Sequence, residues 1–308
     1  MDTIRLSLDW TPNTNHIGMY TALAAGRYAE AGIRLEIWTP DQDGYATTPA
    51  RRLAHGKTDV AITPSESVIS LHTAHRPVSV QAIATVLQRD ASGIAVLSDT
   101  GIRRPAELDG KRYASYSARF EDHIVAAMIR ADGGAGRVTP VKPERLGIWE
   151  TLLTGEAEAT WIFVPWEGVL ARRDGIDLRV FTMEEFGVPY GYSPVLVART
   201  ADLEGTGSVS PEALSRFVQA TRLGYEQALA DRELAVAAFR RQVAHHPALE
   251  SADMLNESLT ELAPYLVNES GQWGRMNSQR WQDFADWIHA AGLIERRLLA
   301  ADLCRNLA

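Results

Sequence analysis

Leu6-Ser-Leu-Asp9-Trp10-Thr-Pro-Asn13-Thr-Asn15-His16-Ile-Gly-Met-Tyr20 is the stretch whose reading decides the fold. The apolar spacing of Ile4, Leu6 and Leu8 predicts a strand that runs into a polar, proline-containing turn. A helix is expected to start at about Asn15 or His16. A strand end that meets a helix N-terminus is where open α/β sheets bind ligands. Asp9, Trp10, Asn13 and His16 are therefore candidate binding residues. The plainer reading stays open: Asn and Asp are ordinary turn and cap residues, and Trp10 can be a core anchor.

Working outward, short apolar runs alternate with helical patterns over about the first 200 residues. Strands are expected at Ile4–Leu8, Leu35–Trp38, Val60–Thr63, Val78–Ala84, Gly93–Leu97, Arg112–Ser115, Ala159–Phe163, Leu178–Phe181 and Pro194–Ala198. Helices are expected at Ile17–Ala25, Thr48–His55, Ser65–His72, Phe120–Asp132, Gly147–Thr154 and Glu167–Arg173. The alternation reads as α/β with mostly parallel sheets. From Ser210-Pro211-Glu212, an N-cap with proline at the first helical position, the chain turns helical. Further helices are expected at Glu233–Val243, Ser251–Pro264 and Ser278–Ala291. The aromatic stripe of Trp281 and Phe284 is read as packing.

One echo stands out. Leu53-Ala-His-Gly56-Lys-Thr-Asp59-Val and Leu152-Leu-Thr-Gly155-Glu-Ala-Glu158-Ala both close a helix on glycine and enter a strand led by an acid. The glycines are expected at positive φ. Two copies suggest two lobes built on one plan.

Bulk properties narrow the function. The 308 residues suffice for two lobes. A net charge of −8 without a Lys/Arg block argues against a nucleic-acid binder. Cys304 is the only cysteine, so an internal disulfide and any multi-cysteine metal site are excluded. No run of 18 apolar residues offers a membrane span. No charged and apolar leader precedes the first strand, so a cytoplasmic location is expected, or a periplasmic or cell-surface one if an export signal was removed. Gly-x-Ser-x-Gly, P-loop and Gly-x-Gly-x-x-Gly motifs are absent, so no catalytic residue, cofactor or metal is expected. His72/His75 and His245/His246 are read as surface residues.

Further candidates lie at other strand ends. Pro64, Ser65 and Ser67 follow the Val60 strand, where free N–H groups and hydroxyls suit an acceptor or anion; a plain N-cap by Ser65 or Thr63 is the alternative. Ser117 and Arg119 sit at a second helix start, with a solvated Arg119 as the bland reading. Trp161, Trp166 and Glu167 combine aromatic walls for a flat heterocycle with a carboxylate for an amino-pyrimidine edge. Trp161 can equally fill a core. Tyr190 and Tyr192 flank a Gly/Pro-rich passage that a linker would also contain.

Leu8–His16, Ala25-Gly-Arg-Tyr28-Ala-Glu-Ala-Gly32-Ile, His55-Gly-Lys-Thr-Asp59-Val-Ala-Ile and Leu108-Asp-Gly110-Lys together resemble the thiamine-pyrimidine group of substrate-binding proteins, over about residues 3–200. The resemblance implies a type II periplasmic-binding-protein fold of two α/β lobes joined by two crossovers. Lobe one would be 1–88 plus 194–308, with the C-terminal helices packed on it, and lobe two 89–193. It implies a ligand held in the inter-lobe cleft, a thiamine-related pyrimidine, and an ABC transporter permease as partner. Trp10 and one of Trp161 or Trp166 would sandwich the ring. Glu167 and Asn13 would hydrogen-bond it, and Ser65, Ser67 and Tyr190 would hold its substituent. The group also contains the fungal-type thiamine-pyrimidine synthase, which uses pyridoxal phosphate, iron and its own histidine. Its cofactor lysine and donor histidine align with Thr63 and Ser67 here, and its cysteine run is missing. The departure argues against synthase activity.

Overall fold

The computed structural model describes residues 1–142, 150–247 and 249–308. The chain divides into two compact units, one of residues 1–90 and 191–308 and one of residues 91–190.

Unit 1 begins β1 (Asp2–Ser7), α1 (Ile17–Ala24), α2 (Arg27–Glu30), β2 (Ile33–Trp38), α3 (Pro49–Ala54), β3 (Val60–Thr63), α4 (Ser65–His72), β4 (Val80–Thr85). Its sheet runs β2-β1-β3-β10-β4, where β10 is Val195–Arg199. Every residue of β3 and β4 is buried, which is why both read as unbroken runs rather than alternating ones. The chain steps from β1 outward to β2, then back across β1 to β3. That reversal puts a topological switch point at the C-terminal ends of β1 and β3.

Unit 2 holds β5 (Ser92–Leu97), β6 (Arg112–Ala114), α5 (Glu121–Ala131), β7 (Thr139–Val141), α6 (Glu150–Leu153), β8 (Ala159–Phe163), α7 (Val169–Arg173) and β9 (Leu178–Phe181). Its sheet order is β7-β6-β8-β5-β9. The same reversal occurs between β6 and β8. The glycines of the sequence echo, Gly56 and Gly155, both have positive φ, 68° and 69°. They precede β3 and β8, which hold the same place in the two sheets.

The expected mostly parallel arrangement needs correction. β1 pairs parallel with β2 and β3, but β10 runs antiparallel to β3 and β4. Likewise β6 is parallel to β7 and β8, while β5 is antiparallel to β8 and β9. The cause is where the chain enters. Ser92 pairs with Phe163 and Val195 with Thr63, so each incoming strand starts at the C-terminal end of its neighbour and must run back. Strand β7 escapes the sequence reading because Pro140 lacks an N–H. At the sheet edge that loss is tolerated. The expected helix Gly147–Thr154 is observed as Glu150–Leu153, and residues 147–149 of it lie outside the described residues.

The rest of unit 1 is α8 (Thr200–Leu203), α9 (Pro211–Ala230), α10 (Arg232–Gln242), α11 (Ala252–Leu266), α12 (Ser278–Ala290) and α13 (Ala300–Leu303). Ser210 Oγ accepts from Ala213 N at 3.1 Å and caps α9 as expected. Helix α11 continues two residues past Pro264, where its end was expected. In the last turn the proline removes one hydrogen bond, and fully buried Leu262 and Leu266 hold the turn. Helix α1 packs on α9 so closely that a Cβ at Gly18 would lie 2.2 Å from the Tyr225 ring.

Candidate ligand-binding site

In unit 1 the turn after β1 is a closed hydrogen-bond circuit. Asn13 N donates to His16 Nδ1 at 3.1 Å, which leaves the ring proton on Nε2 to reach Asp9 Oδ1 at 2.8 Å. Asn13 Oδ1 accepts from Asn15 N at 2.8 Å, and its Nδ2 donates to Thr11 O at 3.1 Å. A 3-10 turn, Thr14–His16, precedes α1. Helices α9 and α11 brace this turn: the Tyr225 hydroxyl donates to Asn15 O, and Thr14 Oγ1 meets Ser258 Oγ at 2.6 Å. Tyr225 is stacked on Trp273 with centroids 4.5 Å apart. Burial above all pushes its phenol well above the ordinary range, with Tyr28 and Asp9 adding. Trp10 stays half-buried, 5.2 Å from the Tyr45 ring and tilted 51° to it.

At the end of β3, Pro64 occupies the N-cap of α4 and offers no side-chain cap. Ser65 is fully buried. Its N donates to Tyr192 O at 2.8 Å and its Oγ accepts from Tyr192 N at 3.1 Å. Neither Ser65 nor Thr63 caps the helix, contrary to the plain alternative; Ser65 pins the returning chain instead. Tyr192 is 2% exposed, its hydroxyl accepts from Asn277 N at 2.8 Å, and Arg280 lies over its ring at 4.3 Å. Ser67 is half-buried in the first turn of α4. Thr63 pairs with Val195 in the sheet.

In unit 2 one carboxylate organises the loop after β6. Glu121 accepts from Tyr113 OH at 2.6 Å, Ser115 Oγ at 3.2 Å, Tyr116 N at 3.0 Å and Ala118 N at 3.1 Å. Burial nevertheless keeps its carboxyl above the ordinary glutamate range. Ser115 Oγ in turn accepts from Ser117 N at 3.0 Å, and Ser117 is exposed with φ of 62°. Beside this loop, Tyr116 OH donates to Trp161 O at 3.2 Å. Burial, with the Glu167 and Glu121 charges, raises its phenol well above the ordinary value. Trp161 is half-buried and 5.6 Å from Tyr190. Trp166 is only 5% exposed. Glu167 Oε2 accepts from Phe163 N at 2.8 Å across the π-helical turn Val164–Gly168.

The structure thus brings Asp9, Trp10, Asn13 and His16 together, and separately Ser117, Trp161, Glu167 and Tyr190 around the ends of β6 and β8. Pro64, Ser65 and Tyr192 form a strap in unit 1. Glu121, Tyr116 and Tyr45 were missed. Glu121 is disguised as a first-turn acid at a helix start, where acids are ordinary. Arg119 is exposed, 4.9 Å over Phe120. Two histidines read as surface residues are not: His72 is 8% exposed, with Nε2 2.8 Å from Val80 O, and half-buried His246 meets Asp41 at 3.0 Å. A cavity of about 830 Å³ in unit 1 is lined in part by Gln88, Arg89, Arg275 and Arg280. Arg280, which lies over Tyr192, also donates to Gln88 O at 2.6 Å and so braces the strap, while Arg89 lies over Tyr265 at 4.9 Å. Among the described residues no group of three or more His, Cys, Asp or Glu is placed to hold a metal. No described helix is long and apolar enough to cross a membrane.

The NMT1/THI5 like family model matches residues 13–235, which take in the end of the turn, with Asn13 and His16, every strand after β1, and the unit 2 cluster. The chain belongs to that family. It is 25% identical over 305 residues to the formylaminopyrimidine-binding protein of Halalkalibacterium halodurans, covering 98% of this chain and 89% of that one. Among solved structures, the alkanesulfonate-binding protein SsuA of Xanthomonas axonopodis pv. citri superposes with a TM-score of 0.72 at 15% identity, covering 99% of both chains. The periplasmic aliphatic sulphonate binding protein SsuA of Escherichia coli gives 0.64 at 18% identity, covering 98% of this chain and 91% of that one. The fold is the type II periplasmic-binding-protein fold.

Proposed function

We propose that the ligand is a thiamine-related pyrimidine of the formylaminopyrimidine kind, delivered to an ABC transporter permease. The observation that carries this reading is the repetition of one arrangement. Each unit gathers a half-buried tryptophan and oriented polar groups at the C-terminal ends of the strands that flank its switch point. Trp10 and Trp161 supply the flat apolar faces; buried Trp166 belongs to the core of its unit. The relative named for formylaminopyrimidine binding supports the ligand class.

The polar roles shift from those expected. Asn13 has spent one N–H and one lone pair on its own turn. Glu167 accepts a backbone N–H. Asp9, aimed by the His16 Nε2 proton, is the carboxylate we assign to the exocyclic amine of the ring. Glu167 and Glu121 set the loops that carry Trp161, Tyr116 and Ser117. Ser65, Pro64 and Tyr192 hold the strap, and Ser67, Ser117 and Tyr190 are the residues we assign to the ring substituent. A synthase reading finds no amine at Thr63 and no imidazole at Ser67.

A thermal-shift panel followed by calorimetry tests the ligand. It holds formylaminomethyl-pyrimidine, hydroxymethyl-pyrimidine and its phosphate, thiamine, pyridoxal phosphate, taurine and aryl sulfonates. Micromolar or tighter binding of a pyrimidine, with none of pyridoxal phosphate, is the expected result. Tight pyridoxal phosphate binding, or binding of a sulfonate alone, would overturn the reading.

A further inference from the structure

Among the described residues only two besides glycine have positive φ: Ser117 at 62° and Tyr45 at 64°. A left-handed backbone is disfavoured for a bulky residue, and such strain gathers at ligand clamps. Ser117 already lies in the candidate site of unit 2. Tyr45 lies in unit 1, in the connection that follows β2, a part of the chain to which the sequence reading assigned no element and no candidate residue.

Tyr45 combines strain with exposure. Its side chain is 45% exposed, one of the few large apolar groups left in solvent. Its ring nevertheless stands 5.2 Å from Trp10 at 51°, so the two rings form an open corner. The backbone that presents it is tightly held. Tyr45 N donates to Pro40 O at 2.9 Å, and Gly44 N to Asp41 O at 3.1 Å. Asp41 meets His246 Nε2 at 3.0 Å, which ties the loop to the segment after α10. Asp43 lies 3.6 Å from Arg52, whose guanidinium rests 3.5 Å over Trp38. A residue that only filled space would be buried or relaxed, and Tyr45 is neither.

We infer that Tyr45 is a second ligand-contacting wall beside Trp10, closing the corner against the edge of a flat ring. The inference rests on the flat-ring part of the proposed function. A ring lying on the Trp10 face meets Tyr45 in the tilted geometry that aromatic pairs prefer. The strained backbone is then the means of holding that wall in place before the ligand arrives, which lowers the ordering cost of binding.

The test compares Tyr45→Phe, Tyr45→Gly and Trp10→Ala by calorimetry with formylaminomethyl-pyrimidine, and by thermal unfolding without it. Tyr45→Phe is expected to bind like the unchanged protein. Tyr45→Gly is expected to weaken binding by about tenfold or more. Its Tm should hold or rise, because glycine accepts positive φ without strain. Tyr45→Gly binding as tightly as the unchanged protein, while Trp10→Ala loses affinity, would overturn the inference. So would a fall in Tm that accompanies the lost affinity, since that marks a packing role. If the unchanged protein ignores the pyrimidine but binds another ring of the panel, the ligand reading fails, and the same variants decide Tyr45 with that ring. If no flat ring binds, both fall.

Discussion

The two units carry the same clamp at different depths. In unit 1, Asp59 just before β3 accepts from Arg5 N at 3.0 Å and from its guanidinium at 2.9 and 2.7 Å. In unit 2, Glu158 just before β8 accepts from Arg112 N at 2.8 Å and from its guanidinium at 3.3 and 2.6 Å. Asp59 N and Glu158 N each donate back to the arginine carbonyl, at 2.8 and 3.0 Å. The device fixes the register of the strands that flank each switch point. Yet the Asp59 side chain is 3% exposed and takes a second cation, Arg199, whereas Glu158 is 27% exposed at a rim. One sequence echo encodes one geometry; depth decides what that geometry contributes.

The site-bearing loops differ in the same spirit. The unit 1 turn leans on helices α9 and α11, from far along the chain. The unit 2 loop is gathered chiefly by a nearby side chain, Glu121, with Ser115 and the Trp161 carbonyl adding one bond each.

The largest expected effect follows from depth. Asp59→Ala should cost about 3 kcal/mol in urea denaturation, because it removes a buried carboxylate that accepts three hydrogen bonds from Arg5 and one from Arg199. A loss well under 1 kcal/mol would break the comparison. Next, Glu121→Gln should cost about 2 kcal/mol, since an amide sets its own donors against hydroxyl and N–H groups that need an acceptor. It should also loosen ligand binding through Tyr116 and Ser117, and unchanged stability would remove Glu121 as organiser of the loop.

These two carboxylates also respond to pH with opposite sign. Burial works against the charge of Asp59, but Arg5, through side chain and N–H, and Arg199 hold its carboxyl below the usual range. As pH falls, the unfolded chain takes up this proton first, near the ordinary aspartate value of about 4. The stabilisation is therefore full at neutral pH and drains as pH drops through the lower folded value. Burial raises Glu121 instead, against its donors. Its contribution is full below the ordinary glutamate value of about 4.3 and is lost as pH rises through the higher folded value. Asp59→Asn should flatten the fall of Tm in acid, while Glu121→Gln should keep that fall and flatten the limb above it. Matching profiles would contradict the assignment. The smallest effect belongs to Glu158→Ala, whose Tm should move by no more than about 1 °C. A larger shift would show that the rim clamp matters as much as the buried one.

Much of the fold was legible. Strands Val60–Thr63, Ala159–Phe163 and Leu178–Phe181 were readable to the residue, because each is a short run rich in β-branched and aromatic residues between turn signals, too short for a helix. The direction of β5 and β10 was not, since hydropathy carries no strand polarity. The candidate site was legible where polar residues are concentrated, as in Asp9–His16, which the structure brings into one turn. It was hidden where position matters: Glu121 reads as a helix-start acid, and the role proposed for Tyr45 rests on a backbone angle and a neighbour 35 residues earlier.

The central claim is the proposed one, that the ligand is a pyrimidine and that Trp10 and Trp161 are aromatic residues needed to bind it. Calorimetry of formylaminomethyl-pyrimidine against the unchanged protein, Trp10→Ala and Trp161→Ala tests it most directly. The account predicts micromolar or tighter binding that falls by about tenfold or more in each variant. Absence of binding, or full affinity retained in either variant, would contradict it.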